Sequence, residues 1–204
     1  MKWKPFIEAS TKEKRRLSKI NFKSENISNM KKQKSTSDEL FFIISPPKNI
    51  SEYVTSLKSH VKLAIGHNFE DEFSKAHISL FKYHDEYPER VLYQMDSMVS
   101  TFNPFHVYIK NLNFFTHGTS KRTIYLEIVY KNPICDIFQN ITGQESGFLP
   151  HITIAKNLDI NDFIIAWNSL KNLSYSEYFK CDHITVLKKT PNKWMHYIDL
   201  PFAA

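Results

Sequence analysis

His77-Ile78-Ser79-Leu80-Phe81-Lys82 and, 74 residues further on, His151-Ile152-Thr153-Ile154-Ala155-Lys156 are the two stretches that decide how this 204-residue chain is read. On a strand, residues i and i+2 share a face. His77 therefore points with Ser79, and His151 with Thr153. Ile78, Leu80, Ile152 and Ile154 point the other way, into a core. Strict alternation puts Lys82 and Lys156 on the face opposite their histidines, so either needs a strand end or a bulge to reach them. By chance, this composition gives roughly 0.2 matches to His-apolar-[Ser/Thr]-apolar. The chain holds three. The third is His183-Ile184-Thr185-Val186.

Working outward, each motif sits in the same succession of elements. In the first half, the apolar run Leu40-Phe41-Phe42-Ile43-Ile44, stopped by Pro46-Pro47, predicts a buried strand. Asn49 to Ile65 is helical, with Ile50, Tyr53, Val54, Leu57, Val61 and Leu63 as the apolar face. The motif strand His77 to Tyr83 follows, then a helix over Pro88 to Phe102 with Val91, Leu92, Met95 and Met98 inward, then a strand over Phe105 to Phe115. In the second half, Thr123 to Tyr130 alternates as a strand. Pro133 to Ile141 is a short helix, and His151 to Lys156 is the motif strand. Ile160 to Leu173 is a helix with Asn161 as its cap, Phe179 to Lys188 is a strand, and Trp194 to Leu200 closes the domain as another. An offset of 74 lays His77 on His151 and the third strand of the first half on Phe179–Lys188. His183 then falls on Ile109, which carries no motif, so duplication selects His77 with His151 and leaves His183 an ordinary strand histidine. The expected fold is α+β: a duplicated, two-lobed domain over residues 38–204, with halves at roughly 38–118 and 119–204. Two antiparallel sheets face a central groove, with helices packed outside.

Charge marks the boundary of that domain. Residues 1–37 hold 11 Lys/Arg against 3 Glu, whereas residues 38–204 hold 16 Lys/Arg against 18 Asp/Glu. The leader is thus basic and the body near neutral. Ser10-Thr11-Lys12-Glu13 in the leader matches a capping box and predicts a short helix, and residues 24–38 read as a linker. A basic leader attracts polyanions such as RNA, or is simply a solvated tail. No run approaches the 18 apolar residues of a membrane span, and no secretory signal opens the chain. Cys135 and Cys181 lack metal-like spacing and read as reduced thiols of a cytoplasmic protein. No His-Glu-x-x-His, Cys-x-x-Cys, P-loop or Gly-x-Ser-x-Gly motif is present.

A histidine and a hydroxyl repeated in two lobes suit attack on a phosphodiester. A neutral imidazole takes a proton from the attacking group, and a protonated one donates to the leaving oxygen. The Ser79 and Thr153 hydroxyls donate to non-bridging oxygens. No metal or cofactor is required. Phe81, Tyr83 and Trp194 are candidates to stack on a base, although aromatics in such a chain more often fill the core.

These motifs, in duplicated halves, resemble the 2H phosphoesterases, and especially their 2′-5′ RNA ligase/2′,3′-cyclic phosphodiesterase branch. The resemblance spans roughly residues 38–202. It includes the opening strand before Pro46-Pro47, Phe148-Leu149-Pro150 ahead of the second motif, and Leu187-Lys188-Lys189 with Lys193-Trp194 as the last hairpin. It implies His77 and His151 as catalytic residues and Ser79 and Thr153 as phosphate-binding residues. Lys156 stands where the family often has a basic residue, five positions after the second histidine. The implied reaction opens a 2′,3′-cyclic phosphate on RNA or a nucleotide to a 2′-phosphate, with His151 as base and His77 as acid or the reverse, and reversible 2′-5′ ligation in some members. A hydrolase of 2′-5′-linked or cyclic oligonucleotide signals is the alternative, as is a non-catalytic binder of RNA ends with the same fold. The protein is expected to work as a monomer away from membranes, with the leader touching RNA.

Overall fold

The structure is a computed structural model that describes residues 38–85, 87–144 and 147–203. The basic leader and its capping-box helix lie outside the described residues. Within them the chain forms β1 (Asp38–Ile44), α1 (Lys48–Ile65), β2 (Ile78–Asp85), α2 (Pro88–Val99), β3 (Phe105–His117) and β4 (Lys121–Ile128). These are followed by α3 (Asn132–Thr142), β5 (His151–Asp159), α4 (Ile160–Leu170), β6 (Ser176–Cys181), β7 (His183–Lys189) and β8 (Trp194–Pro201). No helix among the described residues is long and apolar enough to cross a membrane, and Cys135 and Cys181 are free.

Local chemistry sets the element ends. Pro88 and Pro133 sit in the first turns of α2 and α3, where a missing N–H costs nothing. α1 and α3 stop at Gly66 and Gly143, whose φ of 82° and 69° need no Cβ to be accommodated, and whose N–H groups return to Lys62 and Gln139. The cap of α4 is Asp159 rather than Asn161. Its carboxylate accepts the Asp162 N–H at 2.9 Å, so the helix begins at Ile160 as expected, with its cap two residues before Asn161, and it ends at Leu170 rather than Leu173. In α1, Ile50, Val54, Leu57 and Val61 are buried, while Leu63 is 83% exposed. Two residues beyond Val61 the helix has turned about 200°, so Leu63 leaves the apolar face.

The eight strands make one sheet, ordered β6-β3-β4-β5-β2-β1-β7-β8, with every pair antiparallel. This corrects the expectation of two separate sheets. The two arms join at a single register pair, Ile78 on β2 with Ile152 on β5. Nor do the arms follow the halves of the sequence. β3, from the first half, lies between β4 and β6, while β7 and β8, from the second, extend β1. Phe179–Lys188, read as one strand, is two: β6 ends at Cys181 and β7 begins at His183. Consecutive strand ends lie within about 7 Å, yet five strands separate β6 from β7 in the sheet, about 29 Å if it were flat. The sheet is therefore curled. Asp182 is where the chain crosses from one arm to the other, and its carbonyl accepts the Phe202 N–H.

One face of the sheet carries the core. Leu40, Phe42, Ile44, Ile78, Leu126, Ile128, Ile152, Ile154, Ile184 and Val186 pack there with the buried residues of all four helices. Phe41 and Ile43 are buried on the opposite face, which explains why β1 reads as an unbroken apolar run.

Candidate functional site

The Ile78–Ile152 pair brings the two motifs together. In an antiparallel ladder through that pair, His77 faces Thr153 and Ser79 faces His151. All four lie on the face away from the core, because Ile78 and Ile152, both fully buried, take the other. The two imidazoles are close enough that a charge on His77 disfavours one on His151.

Both rings are held alike. His77 donates from Nδ1 to the Lys75 carbonyl at 2.8 Å, and His151 donates from Nδ1 to the Leu149 carbonyl at 2.8 Å. In each case the acceptor is two residues upstream. A neutral ring that donates from Nδ1 keeps a lone pair on Nε2, so both histidines present the same nitrogen for chemistry. Aromatic walls fix the ring planes. The Phe41 ring meets His77 nearly edge-on at 5.4 Å. Phe115 meets His151 at 4.8 Å, and Tyr125 at 5.3 Å. Burial lowers the pKa of both histidines below 6.5. The upstream carbonyls oppose that shift, and the positive charges of Lys58 and Lys82 near His77, and of His77 and His117 near His151, reinforce it.

Strict alternation fails just past each hydroxyl. Ile43 pairs with Ser79 and Phe42 with Phe81, which leaves Leu80 as an extra residue in β2. Tyr125 pairs with Thr153 and Ile124 with Ala155, which leaves Ile154 extra in β5. Residues 80 and 154 are again 74 apart, so the bulge is duplicated along with the histidines. Each bulge reverses the alternation and turns Lys82 and Lys156 onto the histidine face. Lys82 Nζ lies 5.3 Å from the Phe41 ring centre and 5.1 Å from that of Trp194. Lys156 is held by Glu70 at 2.9 Å, which raises its pKa. Alternation alone thus puts Lys82 on the wrong face. The sequence does carry a signal: two consecutive apolar residues, Leu80-Phe81 and Ile154-Ala155, break an otherwise alternating strand.

A buried lysine shapes the approach to His77. Lys58 on α1, 3% exposed, donates from Nζ to the Asp71 carbonyl (2.6 Å), the Ser74 carbonyl (3.0 Å) and Ser74 Oγ (2.7 Å). Desolvation lowers its pKa to about 8, and three acceptors match the three protons of an ammonium. The sequence marks it only by spacing: four residues after Val54 and three before Val61, it lies at the edge of the apolar face of α1.

His183 lies on the same face, two strands from His77. Its Nδ1 lies 2.7 Å from the Asp182 carboxylate, and its Nε2 faces Asp199 at 3.9 Å. It lacks the carbonyl tether and the free Nε2 of the other two. Phe81 stacks on Phe42 at 4.5 Å and Tyr83 packs against the core, so of the three aromatics proposed for base stacking Trp194 is the one that meets the histidine face, against Phe41 and Lys82. Among the described residues no group of three His, Cys, Asp or Glu side chains is arranged to hold a metal ion.

The sequence pattern of the 2′-5′ RNA ligase superfamily matches residues 46–193. No curated protein sequence matches the chain. Among solved structures, the apo form of Escherichia coli LigT superposes with a TM-score of 0.57 at 12% identity, over 83% of this chain and all of LigT. LigT complexed with 3′-AMP gives 0.55 at 9% identity, over 82% of this chain and 99% of that one. TT0787 of Thermus thermophilus gives 0.56 at 12% identity, over 80% and 97%.

Proposed function

Because the chain belongs to the 2′-5′ RNA ligase superfamily of 2H phosphoesterases, we propose that it opens 2′,3′-cyclic phosphates on RNA ends or nucleotides to 2′-phosphates, with no metal ion taking part. The observation that carries this reading is the matched pair of imidazoles. Each is tethered through Nδ1 to a carbonyl two residues upstream, each has Nε2 free, and they sit across one strand crossing.

In this reaction His151 Nε2 takes a proton from water as the water oxygen attacks phosphorus. The bond from phosphorus to O3′ breaks, and His77 gives its Nε2 proton to that oxygen. Exchange with solvent then returns the proton from His151 to His77. The pseudo-symmetry of the site allows the opposite assignment. Ser79 and Thr153 donate to the non-bridging oxygens, and Lys82 and Lys156 supply positive charge as the phosphate gains negative charge. LigT, a protein of similar fold, has been crystallised with 3′-AMP, in keeping with a nucleotide ligand. 2′-5′ ligation would use the same two imidazoles in the same direction, with an RNA 5′-hydroxyl in place of water, and its reversal, attack of O3′ on phosphorus with loss of the 5′-oxygen, would exchange their roles. The basic leader adds non-specific affinity for RNA, and the protein works as a monomer in the cytoplasm.

A substrate panel tests the reading: 2′,3′-cyclic AMP, an RNA ending in a 2′,3′-cyclic phosphate, 2′-5′-linked oligoadenylate and a cyclic dinucleotide, each with and without EDTA. The expected result is turnover of the first two to 2′-phosphates, unchanged by chelation. Turnover of the 2′-5′ oligomer alone would transfer the function to signal degradation. Activity lost on chelation and restored by one metal would contradict the two-histidine mechanism.

A further inference from the structure

Beyond the histidines the same face of the sheet continues across β4, β3 and β6. Glu127 pairs with His151, Lys110 with Glu127, and Ser176 with Lys110, so one row runs straight across four strands. One step along the strands from that row, on the same face, lie Tyr108 of β3 and Tyr178 of β6, and one step further His106 and Lys180. Their alternate neighbours Val107, Ile109 and Phe179 are buried in the core, which fixes the outward direction of these side chains.

The outward residues form an aromatic cluster. Tyr108 and Tyr178 stack at 5.7 Å, Tyr130 meets Tyr108 edge-on at 5.4 Å, and His106 meets Tyr178 at 5.6 Å. Tyr108, Tyr178 and Tyr130 are 41%, 59% and 65% exposed. Three tyrosines joined through Tyr108, with that much open surface, are unlike scattered single exposed aromatics. The charges around them are mixed, but the carboxylates are engaged: Glu177 accepts the Tyr178 N–H at 3.0 Å. Lys110 and Lys180 flank the cluster, and neither is paired with a carboxylate among the described residues. Glu127, the acidic group in the row, is neutralised by Lys131 at 3.2 Å. Strand spacing sets the cluster about 12–16 Å from His151, a few nucleotides of a stacked strand.

We propose that this cluster is a stacking platform for single-stranded RNA, receiving the bases that precede the phosphate held at the histidines. The aromatic faces take unpaired bases of any identity, and Lys110 and Lys180 meet the backbone. The platform rests on the phosphoesterase reading for its orientation towards His151, and it makes an RNA end, rather than a free nucleotide, the substrate the whole face fits.

The full-length protein and two double variants, Tyr108→Ala/Tyr178→Ala and Tyr108→Phe/Tyr178→Phe, are titrated into a fluorescent six-nucleotide RNA and into a duplex of the same strand. Anisotropy reads binding, and sedimentation reads oligomeric state. Affinity for the single strand should fall about 10- to 100-fold in the alanine variant and stay within about threefold in the phenylalanine variant, which keeps the π-faces. Duplex binding should change far less than single-strand binding in both. Single-strand affinity unaltered by the alanines overturns the proposal. So does an equal loss on the duplex, which would make the contact one of charge alone. A wild-type dimer that the alanines dissociate also overturns it, because the face is then a protein interface. Tyrosine-dependent RNA binding in a protein that turns over no cyclic phosphate would support the platform while removing the proposed reaction, so the two failures are told apart.

Discussion

His77 and His151 both hold protons less tightly than an ordinary histidine, because burial penalises the imidazolium more than the upstream carbonyls stabilise it. The proposed reaction needs one ring neutral and the other charged. In the free protein that singly protonated form grows scarce as pH rises above both lowered values. The kcat/KM profile on 2′,3′-cyclic AMP should therefore be a bell centred below pH 6.5, the ordinary value for histidine. A bound phosphate brings negative charge beside both rings and raises their proton affinity, so the kcat profile should be displaced to higher pH. A kcat/KM maximum above about pH 7.5 would contradict the burial seen here, and coincident kcat and kcat/KM profiles would contradict contact between the phosphate and the imidazoles.

Two kinds of element shape the site around those rings: duplicated bulges, which turn Lys82 and Lys156 onto the histidine face, and the tethered turn ahead of His77. The pairing of the motifs, their core-facing isoleucines and the repeat itself are legible in the sequence, because alternation and spacing leave marks in residue type. The bulges at Leu80 and Ile154 leave only two adjacent apolar residues each, a mark that also fits the end of a strand. Alternation accordingly assigns Lys82 to the wrong face. Lys58 leaves a faint mark, its spacing from Val54 and Val61 at the edge of the apolar face, but a lysine there can reach out to solvent; only the fold brings the carbonyls of Asp71 and Ser74 against it. Its role can be tested directly. Lys58→Met fills the space but leaves those acceptors without a donor, and should cost about 1–3 kcal/mol of stability. It should also lower kcat/KM through the turn that leads into His77. Urea denaturation reads the first effect and turnover the second. Unchanged stability would mean that the turn is held by other contacts.

At the scale of the molecule, sequence duplication and spatial duplication do not coincide. The repeat at an offset of 74 places the two histidines correctly in relation to each other, but it also suggests halves that fold side by side. Instead β3 crosses into one arm and β7–β8 into the other, and the arms meet in one continuous sheet at Ile78–Ile152. Register between distant strands depends on how two faces pack, which spacing along one chain does not record. The exchange has a consequence for function. Neither half can form its arm without strands from the other, so the two motifs are brought to one crossing only in the folded whole. Removing either histidine should then disable the same step. On 2′,3′-cyclic AMP, His77→Ala and His151→Ala should each lower kcat by roughly 10²–10⁴-fold. The double variant should be little worse than either single one, because an acid and a base of one displacement are not additive. His183→Ala, whose ring lies between Asp182 and Asp199, serves as the control for a histidine on the same face but outside the pair. The most direct measurement is kcat for these four purified variants and the wild type, with circular dichroism to show that each is folded. The expected result is loss in the first three and near wild-type turnover in the control. A folded His77→Ala protein with wild-type turnover, beside an inactive but folded His183→Ala protein, would contradict the assignment of the pair.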